Sequence, residues 1–189
     1  MTTYTVFFDA CVMYPAPLRS YLMYLANTGL FSARWSEQVH DEWMRNLLKN
    51  NIDVDIEKLK RTKDLMNKHV PDCLVEGYEP LIAGITLPDA DDRHVVAAAI
   101  KGQAEAIITF NLKDFPVETL EPLGLVAIHP DEFLCDMFEL NPSNCVKAAQ
   151  QQRQSLKNPP MAATEFLTCL QKQRLPRFTS KLTGYQAIL

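Results

Sequence analysis

Apolar and polar positions alternate with two rhythms along the first two thirds of the chain. Tyr4 to Phe8 is aromatic and β-branched, which predicts a short buried strand ending at Asp9. Pro15 and Pro17 mark the loop that follows. Leu18, Tyr21, Leu22, Leu25 and Ala26 then recur at helical spacing, with Gly29 where a C′ residue would sit. Ser36 reads as the N-cap of a second helix over 37–49, striped by Val39, Trp43 and Leu47. Ile56, Leu59, Lys63, Met66 and Val70 predict a third helix over 55–69, stopped by Pro71. Residues 72–90 are irregular, and Ile85–Leu87 is either a strand or an extended lead-in. Asp89 or Asp91 can cap the next helix, whose apolar face carries Val95, Val96, Ala98 and Ala99 and which Gly102 ends. Ala106–Thr109 and Leu125–Ile128 predict two more buried strands. The order strand, helices, strand, turn, strand is an α/β pattern, so a central parallel sheet flanked by helices is expected.

The texture changes beyond 133, which divides the chain into a body over 1–133 and a helical C-terminal extension over 134–189. Asn141-Pro142-Ser143 resembles a helix start with Pro in the first turn, and Asn158-Pro159-Pro160 a break. Thr164–Arg174 reads as another helix, and the last fifteen residues are basic with little periodicity. The extension can form two or three helices but no core of its own, so it is expected to pack on the body or on a partner.

Charge sharpens that division. Residues 1–140 carry 12 Lys and Arg against 22 Asp and Glu, whereas residues 141–189 carry 7 against 1. An acidic body with a basic tail suits an enzyme that holds cations and still attracts a polyanion; two unrelated solvated surfaces would look the same. The basic residues are Lys147, Arg153, Lys157, Lys172, Arg174, Arg177 and Lys181. The five cysteines, Cys11, Cys73, Cys135, Cys145 and Cys169, are widely spaced and contain no C-x-x-C pair, which points to reduced thiols rather than disulfides or a zinc site. The four histidines are scattered too. No apolar run reaches the ~18–20 residues that span a bilayer, and the N-terminus has no basic leader, so a cytoplasmic chain without a membrane anchor is expected.

The candidate chemistry lies in carboxylates. In open α/β sheets, ligands bind beyond the carboxyl ends of the strands. Asp9 directly follows the first strand, Asp114 lies five residues after Thr109, Asp92 opens a helix, and Glu42 borders the buried stripe of the second helix. Taken singly, Asp91 or Asp92 would be a helix cap, Glu42 a solvated position and Asp114 a turn residue. Asp9 has no such packing reason. An ionised group beside apolar sequence is costly unless compensated, so a shared cation accounts for all four together. Hard ions such as Mg²⁺ or Mn²⁺ take oxygen ligands and fit a cluster without His or Cys. Such an ion can activate water against a phosphodiester and neutralise the leaving oxygen.

Four blocks together resemble a PIN domain, most of all the VapC-type toxins of bacterial toxin–antitoxin pairs. They are Phe7-Phe8-Asp9-Ala10-Cys11-Val12, the helix from Trp35 to Trp43, the run from Leu87 to Ala99, and Ile107-Ile108-Thr109-Phe110-Asn111-Leu112-Lys113-Asp114-Phe115. They occur in the family's order over roughly 4–133. The resemblance implies a three-layer α/β/α PIN-like fold, with Asp9, Glu42, Asp92 and Asp114 holding Mg²⁺ or Mn²⁺ and Thr109 and Asn111 orienting those acids. Asp92 fits the third position best, with Asp89 and Asp91 as rivals and Asp89 as the expected helix cap. One departure is Cys11, where relatives usually carry Asn; a weak S–H donor replaces an amide.

The resemblance further implies a metal-dependent endoribonuclease cutting RNA to 5′-phosphate and 3′-hydroxyl ends. It also implies a homodimer silenced by a cognate antitoxin. The basic tail would steer RNA, or dock the acidic body, a second subunit or the antitoxin. The alternative is a catalytically silent PIN-fold module that binds RNA or protein. A HAD-type phosphatase needs Asp where Cys11 stands. A response-regulator receiver needs its Lys on a strand separate from Thr109, whereas Lys113 shares a turn with Asp114.

Overall fold

The computed structural model describes residues 4–51 and 53–189; residues 1–3, on which part of the leader expectation rests, lie outside them. The first predicted strand forms as β1 (Thr5–Phe8), with Val6, Phe7 and Phe8 fully buried. Continuous burial is what a strand covered on both faces of a parallel sheet requires. It runs straight into α1 (Ala10–Met13), one turn too short to leave a periodic signal. The predicted helices follow as α2 (Ala16–Ala26), α3 (Glu37–Asn50) and α4 (Ile56–His69), with Ser36 and Asp55 as the caps of the last two.

Between α2 and α3 lies β2 (Ser32–Arg34), which the sequence pattern does not show. It is a three-residue edge strand with only its middle residue buried, so it has neither length nor alternation to read. Ile85–Leu87 is an extended lead-in and forms no strand; the irregular stretch before it holds the short α5 (Glu79–Ile82). A 3₁₀ turn over Ala90–Asp92 leads into α6 (Arg93–Lys101), followed by β3 (Ala106–Ile108), α7 (Val117–Leu120) and β4 (Val126–Ile128).

The sheet order is β2-β1-β3-β4 with every pair parallel. From β1 the chain goes to β2 on one side and later to β3 on the other. The strand order therefore reverses between β1 and β3, and the crevice beyond their carboxyl ends is where such a sheet binds ligands. Ala97, Ala98 and Ala99 of α6 are fully buried, and α6 packs on both central strands.

The chain ends in α8 (Pro130–Leu140), α9 (Pro142–Ser155), α10 (Ala163–Gln171) and α11 (Pro176–Thr183). Two of these, α8 and α11, are additions to the predicted pattern, and α8 runs through position 133. These helices share the body's core. The rings of Phe8, Phe31 and Phe133 meet edge to face with centroids 5.1 to 6.1 Å apart. Tyr21 of α2 stacks at 5.2 Å on Phe178 and donates its hydroxyl to the Cys145 carbonyl at 3.0 Å. Gln152 donates to the Pro17 carbonyl at 2.9 Å. Of the two placements expected, on the body or on a partner, these contacts show the first.

Candidate active site

Asp9 leaves β1 with extended backbone and caps the single turn of α1. Its Oδ1 accepts the Ala10 N–H at 2.6 Å; its Oδ2 accepts the Thr109 hydroxyl at 2.7 Å and the Cys11 thiol at 3.1 Å. The carboxylate is 5% exposed. Burial raises its pKa, the three donors oppose that rise, and the charge of Glu42 adds to it. Thr109 and Cys11 each have one hydrogen and both aim it at Oδ2, so their own 3.4 Å contact carries none.

Cys11 also accepts the Phe110 N–H at 3.3 Å, and Thr109 accepts the Asn111 N–H at 3.0 Å. The ends of β1 and β3 are thus laced together around Asp9. Cys11 acts as a donor: burial and the nearby Asp9 charge push its thiol up to about 12, so the sulfur keeps its proton. Asn111 acts here through its backbone; its side chain is exposed and makes no hydrogen bond among the described residues. The far end of α1 is held by Arg19, whose buried guanidinium donates to the Met13 carbonyl at 2.6 Å and lies 4.4 Å over the Trp43 ring.

Glu42 is brought in by α3, whose buried side is fixed by a polar chain. The Trp43 indole donates to His40 Nδ1 at 3.0 Å, and His40 Nε2 meets Asn67 Oδ1, 2.9 Å away on α4; the Trp35 indole donates to the same oxygen at 2.7 Å. With Nδ1 accepting, His40 donates from Nε2 and is neutral, in keeping with the burial that lowers its pKa. Glu42 itself meets His94, a residue the sequence reading did not single out. His94 Nε2 stands 2.8 Å from Glu42 Oε1 inside the core, off the line of a hydrogen bond, and neither ring nitrogen has an aligned partner. Its signal was a lone histidine on the Ala-rich buried face of α6, two residues after Asp92.

Asp89 and Asp92 divide their labour. Asp89 caps the 3₁₀ turn, accepting the Asp91 N–H at 2.9 Å. Asp92 opens α6 without a side-chain capping bond. Its half-buried carboxyl is pushed up to about 7 by desolvation and by the charges of Asp9, Asp89 and Asp114, with His94 opposing. Asp114 sits half-buried at the end of a 3₁₀ turn over Leu112–Asp114, and Asp91 is exposed. Asp9 therefore feels Glu42, and Asp92 feels Asp9 and Asp114, so electrostatic neighbours link the four acids pair by pair.

No three His, Cys, Asp or Glu side chains among the described residues stand close enough to form a metal cage unaided. The donor set still suits a hard divalent ion, because Mg²⁺ characteristically takes one or two carboxylates and keeps several waters. Asp9 Oδ1 retains acceptor capacity beyond its single N–H, and Asp92 forms no salt bridge among the described residues. A groove of about 460 Å³ lies elsewhere, between α2 and α4, lined by Arg19, Tyr24, Met66 and His69 and by none of the four acids. Of the basic residues, Lys181 pairs with Glu139 at 3.1 Å and Arg153 donates to the Met161 carbonyl at 3.0 Å. Lys147, Lys157, Lys172 and Arg177 are exposed, and Arg174 lies over Phe110.

Comparison with known proteins agrees with this architecture. A Mycobacterium tuberculosis protein named "Putative ribonuclease VapC50" is 37% identical over 105 residues, covering 56% of this chain and 61% of that protein. The chain thus spans under two thirds of that relative's length. No solved structure matches. A family model described as VapC50 C-terminal domain matches residues 130–184. A second, described as PIN domain, matches residues 5–113, more than half of the chain and all of the sheet but β4; the chain belongs to the PIN domain family.

Proposed function

We propose that this chain is a metal-dependent endoribonuclease, the toxin of a type II toxin–antitoxin pair, hydrolysing RNA phosphodiester bonds with Mg²⁺ or Mn²⁺. The observation that carries this reading is the buried Asp9 carboxyl, held by Thr109, Cys11 and the Ala10 amide at the switch point of the sheet, with Asp92 as an electrostatic neighbour. Membership of the PIN family and a relative named as a ribonuclease support it. Retention of all four acids, linked as electrostatic neighbours, argues against the silent binding module.

In this reading Asp9, Asp92 and Asp114, with Glu42 directly or through water, hold the ion. When bound, the ion supplies Lewis acidity toward the scissile phosphate and water. The chain's own residues set the geometry. Thr109, Cys11 and the Ala10 amide fix the Asp9 carboxyl in place and oppose the rise that burial imposes on its pKa. His94 walls in Glu42 from the core side. The buried face of α6 fixes the origin of Asp92. A homodimer, a cognate antitoxin and cytoplasmic residence belong to the same proposal. No helix among the described residues is long and apolar enough to cross a membrane.

Asp9→Asn keeps the shape of the side chain and removes its charge. Cleavage of a mixed single-stranded RNA pool in Mn²⁺ should be abolished, while thermal melting shows a folded protein. Undiminished cleavage by that variant would sink the assignment.

A further inference from the structure

Arg174 occupies a backbone conformation that a residue with a Cβ rarely adopts, with φ 62. The turn that holds it is anchored from the far side. Leu175 is fully buried, and the buried Asp131 of α8 accepts the N–H groups of Arg177 at 3.1 Å and Phe178 at 2.9 Å, at the start of α11. What this rigid turn presents outward is a guanidinium lying 4.6 Å over the Phe110 ring. Phe110 stands between Thr109 and Asn111, and its N–H is bonded to Cys11, which is bonded to Asp9. The C-terminal helices thus set a cation over Phe110, the residue next to Thr109. Beside it His129 packs edge-on against Phe110 at 5.1 Å; its Nδ1 accepts the Asp131 N–H and its pKa is lowered by burial and by Arg174, so the positive charge there belongs to Arg174.

Arg174 pairs with no carboxylate among the described residues, although the body around it is rich in them. The guanidinium lies over Phe110, and no side-chain hydrogen bond of Arg174 is found among the described residues, which leaves its N–H groups available to a ligand. Those groups match a phosphate bidentately, and a cation there offsets the repulsion that four carboxylates exert on a polyanion. From this we infer that Arg174 is a phosphate-binding residue for single-stranded RNA, carried by the C-terminal helices to the rim of the carboxylate site. The inference rests on the nuclease reading and assigns those helices a part in substrate binding.

Arg174→Gly separates binding from structure, because glycine accepts the left-handed backbone without strain. The full chain is titrated in EDTA with a fluorescent single-stranded RNA oligonucleotide over a range of salt, and cleavage is followed separately in Mn²⁺. Arg174→Gly should melt no lower than the parent yet bind RNA roughly tenfold more weakly, as loss of one charge-assisted contact implies. The slope of log affinity against log salt should fall by about 0.7, the release expected for one phosphate contact on a single strand. Arg174→Lys should restore the slope and only part of the affinity, and in cleavage KM should change more than kcat. Unchanged affinity and slope, with a lowered melting temperature, would make Arg174 a structural staple and overturn the inference, as would a parent that binds no RNA. A parent that cleaves RNA identically with and without Arg174 overturns this inference alone. A parent whose RNA binding depends on Arg174 but which cuts nothing supports it and overturns the nuclease reading.

Discussion

Asp9 and Asp92 are electrostatic neighbours held by opposite means. Asp9 is buried among donors: a hydroxyl, a thiol and an amide converge on it, so its position and charge are set by the protein itself. Asp92 is half in solvent, makes no capping bond, and has three other carboxylates for electrostatic neighbours. The difference teaches how such a site divides its tasks. One carboxylate is preorganised at the cost of burial and gives the site its geometry. The other is left under repulsion, which a bound cation would relieve, and in the proposed nuclease it would couple ion binding to pH.

The largest effect should come from breaking the donor shell of Asp9. Thr109→Val is close in shape, but it strips Asp9 of its shortest side-chain donor and leaves the Asn111 N–H without its acceptor. Hydrogen bonds to charged groups are worth about 1.5–3 kcal/mol, and stranding a buried partner adds to the loss. Denaturant unfolding at pH 7 should show a loss of about 2–3 kcal/mol, with a matching fall in RNA cleavage. A neutral outcome would mean that Asp9 does not need its charge stabilised, and the contrast with Asp92 would collapse.

The second test addresses Asp92. Its folded-state pKa of about 7 lies above the ordinary 3.8, so the folded chain binds this proton more tightly than the unfolded chain does. The stabilisation is complete below about 4 and is lost as pH rises through about 7. In EDTA the melting temperature should therefore decline across that window. Mn²⁺ should restore it at pH 8 and do little at pH 5, where the carboxyl is protonated. Asp92→Asn should flatten the decline and abolish most of the Mn²⁺ response. A melting temperature independent of Mn²⁺ at pH 8 would separate the raised carboxyl from ion binding.

The two carboxylates were not equally legible in the sequence. Asp9 could be read from physics alone, because an acid that ends a run like Val-Phe-Phe has no packing reason to be there. Asp92 needed the resemblance, since three acids within four residues compete for one helix start. The structure gives the cap to Asp89, whose side chain reaches forward to the Asp91 N–H, while Asp92 makes no such bond. Glu42 is close to a surface position by period, and what brings it inward is the tertiary contact with His94, which no local pattern encodes. β2 escaped because a three-residue edge strand leaves nothing periodic, and α11 because Phe178 and Leu182 are too few to make a stripe. The apolar spacing of α8 was present in Phe133, Leu134, Met137 and Phe138, but it was read as a change of texture at a domain edge. Arg174 was one basic residue among seven until the fold laid it over Phe110.

The smallest effect, and the finest probe of how Asp9 is held, is at Cys11. Its thiol does two things at once, donating to Asp9 and accepting from Phe110. Alanine removes both, but a thiol is a weak partner in each role, so Cys11→Ala should cost only about 1 kcal/mol and a few-fold in cleavage. Serine keeps both roles with a stronger donor on a shorter reach, so Cys11→Ser should remain near the parent in both measurements. If alanine and serine behave alike, the sulfur is merely filling space, and Thr109 with the Ala10 amide suffices to hold Asp9. If serine matches the parent and alanine does not, the thiol takes part as a hydrogen-bond donor, and replacing the family's usual asparagine conserves that donor in another chemical form.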